Sequence, residues 1–68
     1  MALKELLGAL ELDPKNPYVH NNLGIVYYLR EKYDISVKYF LEAISLNSSF
    51  TEAKNNFGKM IKYVCKLV

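Results

Sequence analysis

The chain has 68 residues, 51% of them apolar, and a net charge of +2. That is one small domain at most, and a chain this short buries only about 60% of the surface it exposes when unfolded. No apolar run approaches the roughly 18 residues a membrane span needs. The start Met1-Ala2-Leu3-Lys4-Glu5 also lacks the basic-then-apolar order of a cleaved signal. Cys65 is the sole cysteine, and a lone thiol closes no internal bridge, so the chain is read as cytoplasmic.

Four helices are predicted, at 2–12, 17–30, 34–46 and 51–67. Leu3, Leu6, Leu7 and Leu10 fall at i, i+3, i+4 and i+7, the spacing of one helix face. Asp13-Pro14-Lys15-Asn16-Pro17 then breaks the chain. Asn16 suits an N-cap, and Pro17 suits the first helical position, where its missing N–H costs nothing. Val19, Leu23, Val26 and Tyr27 form the next apolar stripe. Asp34 stands where an acid helps a helix begin, followed by Val37, Phe40, Leu41 and Ile44. After the turn Leu46-Asn47-Ser48-Ser49, Ser49 and Glu52 read as a capping box. The last helix puts Ala53, Phe57, Met60, Ile61, Val64 and Leu67 on one side and lysines on the other. From Thr51 onward it holds four lysines against the single acid Glu52, so a basic segment ends a near-neutral body.

The chain also repeats itself. Shifted by 34 residues, it matches identically at Lys4/Lys38, Leu7/Leu41, Ala9/Ala43, Leu12/Leu46, Asn21/Asn55, Asn22/Asn56, Gly24/Gly58 and Lys32/Lys66. Chance at this composition supplies about two or three such pairs. Leu6/Phe40, Leu10/Ile44, Leu23/Phe57 and Val26/Met60 keep their character. A fixed period of this length belongs to stacked repeat architectures.

Within the period, His20-x-x-Leu23-Gly24-x-x-Tyr27 is followed by Ser36-x-x-x-Phe40-x-x-Ala43 and Ser48. This pattern resembles the tetratricopeptide repeat, TPR, in which a first helix (A) and a second helix (B) form an antiparallel hairpin. Leu23, Gly24, Tyr27, Phe40 and Ala43 match. His20 replaces a large apolar residue, Ser36 a small alanine, and Ser48 a closing proline, with His20 the departure that most weakens packing. Ala2-x-x-x-Leu6-x-x-Ala9 with Leu12-Asp13-Pro14 is similar to a B helix and its turn. Lys54-x-x-Phe57-Gly58-x-x-Ile61 is similar to an A helix. The resemblance implies an all-α fold of antiparallel helix-turn-helix repeats, a right-handed α-solenoid, with four helices in the order B-A-B-A. A full repeat at 17–50 lies between half-repeats at 1–16 and 51–68. Such units bury their apolar faces only against neighbours, so a second copy of the chain or a longer array is expected. The last helix would then pack on the first helix of another copy.

No catalytic residues, metal site or cofactor are expected. His20 and Cys65 stand 45 positions apart, no spacing suits zinc, and the glycines are isolated. Both residues read as packing groups. The resemblance places the A helices along a concave groove that holds a protein or peptide ligand. Its contact positions would be Tyr18, Asn21, Asn22, Ile25, Tyr28, Asn55, Asn56, Lys59 and Lys62, together with Leu29, Glu52 and Tyr63. Asn22 and Asn56 would stack as a ladder, and Lys59 and Lys62 would favour an acidic peptide or a C-terminal carboxylate. The chain is therefore read as a protein-interaction or assembly module, not an enzyme. The runner-up is a basic amphipathic last helix lying on an anionic membrane surface. Nucleic acid is not expected, since four clustered lysines and one arginine are too few for its phosphates.

Overall fold

A computed structural model describes the backbone of residues 3–67 and the side chains of residues 3–66. Ala2, expected to begin the first helix, and the Leu67 side chain, expected in the last apolar stripe, lie outside the described residues. The helices are α1 (Leu3–Leu12), α2 (Pro17–Leu29), α3 (Tyr33–Leu46) and α4 (Thr51–Leu67), and the described residues contain no strand. This is the expected all-α repeat order.

The helix ends follow from local chemistry. At α2, the Asn16 side chain accepts the Tyr18 N–H at 2.9 Å and Pro17 occupies the first turn. The helix closes with the Lys32 N–H donating to the Tyr27 carbonyl and the Glu31 N–H to that of Tyr28. That pair of bonds is a Schellman motif, and it puts Glu31 at φ 64°, a left-handed position usually given to glycine. The motif ends α2 at Leu29, one residue before the expected end, and lets α3 begin at Tyr33, one residue before the expected start. Asp34 lies in the first turn of α3, where no side chain caps the helix.

The expected capping box at Ser49 does not form. The Lys54 N–H donates to the Phe50 carbonyl at 3.2 Å, which makes Phe50 the residue before the helix. Ser49 gives its own N–H to the Asn47 side chain at 3.1 Å in an Asx turn. Phe50 takes the cap position because its ring packs between Ala43 and Ala53 and is buried. Burying such a ring contributes about 1.5–3 kcal/mol, more than the roughly 1 kcal/mol of a polar cap.

Short turns make successive helices antiparallel, and α2 touches each of the other three. The α2–α3 contact is the tightest. A Cβ on Gly24 would lie 2.8 Å from the Phe40 ring, so only glycine allows that approach. The Ser36 hydroxyl donates to the Gly24 carbonyl at 2.6 Å in the same contact. Leu6, Val19 and Leu23 form one core cluster between α1 and α2. Ala43, Phe50 and Ala53 form another between α3 and α4. Val19/Ala53 and Ala9/Ala43 are 34 residues apart, so the α1–α2 packing recurs at α3–α4 one period later.

His20 packs better than its sequence departure suggests. It is 7% exposed and its ring lies 5.9 Å from that of Tyr39. Its Nε2 donates to the Pro14 carbonyl at 2.7 Å, a group that can only accept, which ties the α1–α2 turn to α2. Nδ1 is buried without a partner. Tyr39 also stacks on Tyr27 at 5.5 Å and 4°. Burial, and then the neighbouring Tyr27, raise the Tyr39 hydroxyl above its ordinary pKa of 10.0.

Candidate functional site

α2 and α4 stand side by side over α3, and a cleft of about 220 Å³ opens between them. Phe40 and Met60, each 1% exposed, form its floor. Ile25, Tyr28 and Leu29 line it from α2, and Asn56 and Lys59 from α4. Four of the expected contact residues are thus gathered here: Ile25, Tyr28, Asn56 and Lys59. Lys62 and Asn55 are exposed on α4 but do not line the cleft. Tyr18 sits at the start of α2, 60% exposed, with its ring 4.8 Å from Phe50.

The asparagines are arranged differently from the expected ladder. The Asn56 side-chain N–H donates to the Asn21 Oδ1 at 3.1 Å, while Asn22 is not its partner. Asn21 is 2% exposed, so its amide links α2 to α4 from inside. The reason is directional. When repeats stack by translation, equivalent residues point the same way, so two of them cannot face each other. One helix must present its forward-pointing residue, Asn21, and the next its backward-pointing one, Asn56.

At the end of the cleft three tyrosines meet, one each from α2, α3 and α4. Tyr28 lies 5.8 Å from Tyr33 and 6.0 Å from Tyr63, and Tyr33 lies 6.0 Å from Tyr63. Desolvation, followed by the adjoining Tyr63 hydroxyl, pushes the Tyr33 hydroxyl above its ordinary 10.0. Sequence reading missed Tyr33 here because it assigned that residue to a turn. It also missed Phe40 and Met60, whose helical spacing reads only as core. The apolar stripe of α4 divides in two: Ala53 and Met60 are buried, whereas Phe57 is half-buried and Ile61 is 37% exposed. Among the described residues no helix is long and apolar enough to cross a membrane, and Cys65 is exposed.

A model of the tetratricopeptide repeat matches residues 17–50, and a second, described as TPR repeat, matches residues 1–30. The chain is a tetratricopeptide repeat protein. Neither the curated proteins nor the solved structures contain a match to it. Repeats of this family generally mediate binding between proteins. In this TPR chain, the repeat matched at residues 17–50 takes in α2 and α3, and α2 forms one wall of the cleft.

Proposed function

We propose that this TPR chain is an interaction and assembly module that grips a peptide or a helix between α2 and α4. The observation that carries the reading is the cleft itself. Its floor is apolar, and Asn56 and Lys59 supply an amide and a cation at the rim. At about 220 Å³ it is smaller than the roughly 300–1,000 Å³ of small-molecule pockets, which suits a side chain anchored from a longer ligand. Lys59 and the exposed Lys62 favour a ligand carrying carboxylates. The reading gives the chain no reaction and no cofactor, and puts it in the cytoplasm. It includes self-association through α1 and α4, which keep Leu7 and Ile61 exposed at 40% and 37%.

The test is a peptide array probed with the wild-type chain, followed by fluorescence anisotropy on the peptides it retains. Retained peptides should pair an apolar anchor with nearby Asp or Glu. Tyr28→Ala and Lys59→Glu should each weaken binding about tenfold, the loss of roughly 1.4 kcal/mol. Binding that survives both substitutions unchanged overturns the groove.

A further inference from the structure

We infer that the second copy this reading calls for stacks head to tail, with the α4 face of one chain receiving α1 and α2 of the next in the same register as the internal repeat. The proposal rests on the self-association part of the reading above and supplies its polarity, register and contacts.

Three observations carry it. First, the exposed face of α4 is the period mate of a face that is covered on α2. Lys54, Phe57, Gly58 and Ile61 lie at i, i+3, i+4 and i+7 on α4, equivalent to His20, Leu23, Gly24 and Tyr27. His20, Leu23 and Gly24 are buried beneath α3 and α1, whereas Lys54 is exposed and Phe57 and Gly58 are half-open. A Cβ at Gly24 would strike Phe40, yet one at Gly58 would meet nothing within 4 Å. Gly58 has the bareness of a close helix contact without the helix.

Second, the chain carries both halves of another asparagine pair. Asn21 and Asn56 bond across α2 and α4 at 3.1 Å. Moving that pair by one period, forward for the first and backward for the second, gives Asn55 and Asn22. Both are asparagine, Asn55 is exposed, and Asn22 is half-buried. Stacked in register, Asn55 of one copy meets Asn22 of the next. A second copy therefore offers the same amide pair that already joins α2 to α4.

Third, the charges agree. His20 and Tyr39 are in ring contact at 5.9 Å across α2 and α3. Their period mates are Lys54 and Glu5, an opposite pair, both exposed. Such a contact is heterologous, so it builds a ring or an open filament and not a two-fold dimer.

The test uses the whole 68-residue chain in sedimentation velocity over a wide concentration range, with circular dichroism as the control for folding. The wild-type mass should climb past that of a dimer. Gly58→Leu should keep its helicity, because the position is open, and stay monomeric. Glu5→Lys and Lys54→Glu should each weaken association about tenfold, and an equimolar mixture of the two should restore it, since each variant then offers the other a complementary face. Any of four results overturns the stack: a monomer throughout, a mass that saturates at a dimer, association of Gly58→Leu equal to wild type, or wild type that co-sediments with phosphatidylserine vesicles but does not self-associate. The groove stands or falls separately, because groove peptides can be titrated into Gly58→Leu.

Discussion

At the scale of single residues, two glycines one period apart do opposite things. Gly24 exists because the Phe40 ring lies where a Cβ would be. Gly24→Ala is expected to destabilise the chain by about 1–3 kcal/mol, the usual cost of forcing an extra carbon into a packed contact. Gly58 meets nothing, so in dilute solution Gly58→Ala should stabilise α4 by roughly 0.5–1 kcal/mol through lower backbone entropy. Urea unfolding of both variants checks the pair, and the same sign for both would refute the account. The glycine identity is visible as a repeat in the sequence, but the difference in neighbours is not, because it depends on which helix faces each one. Asn21 and Asn22 pose the same problem. Their period was legible, whereas which of them faces α4 is set by the direction of stacking.

At the scale of helices, the legible parts were those written in local chemistry. Asn16-Pro17 begins α2 as its residue types predict. The leucine spacing of α1 and the apolar stripe of α3 placed those helices to within a residue or two. Ser49 misled because its capping potential competed with burial of Phe50, and ring burial is the larger energy. The end of α2 was also hidden, since nothing in Arg30-Glu31-Lys32 announces a left-handed residue. Glu31 holds φ 64° without the freedom of glycine. Glu31→Gly should relieve that cost and raise stability by about 0.5–1 kcal/mol. An unchanged or lower thermal midpoint would show that the strain is already offset. The candidate groove was half legible: Ile25, Tyr28, Asn56 and Lys59 came from the repeat pattern, while Phe40 and Met60 serve core and cleft at once.

At the scale of the whole molecule, the Cα trace spans 36 × 26 × 16 Å, and its thin dimension leaves room for only two layers of helices. In so thin a body Tyr39 is only half-buried, yet its partial burial bears on pH. Its hydroxyl pKa is raised in the fold relative to the ordinary 10.0. The unfolded chain therefore loses this proton first as pH rises, so the stability Tyr39 contributes is complete below pH 10.0 and is lost as pH rises through the folded value. Tyr39→Phe removes the ionisation, and the difference between variant and wild-type stability should move in favour of the variant above that pH. Parallel stability curves across the alkaline range would show that Tyr39 ionises equally in both states.

The meeting of Tyr28, Tyr33 and Tyr63 has an optical consequence. The chain has no tryptophan, and three of its six tyrosines are in this group. Phenol chromophores held this close and at fixed angles couple in the near ultraviolet, and the coupling vanishes when tertiary packing loosens. Tyr63 reaches the group only while α4 is seated. The near-ultraviolet dichroism of the unlabelled protein is thus a gauge of whether the last helix is docked, readable while a ligand enters the cleft or another copy approaches the far face.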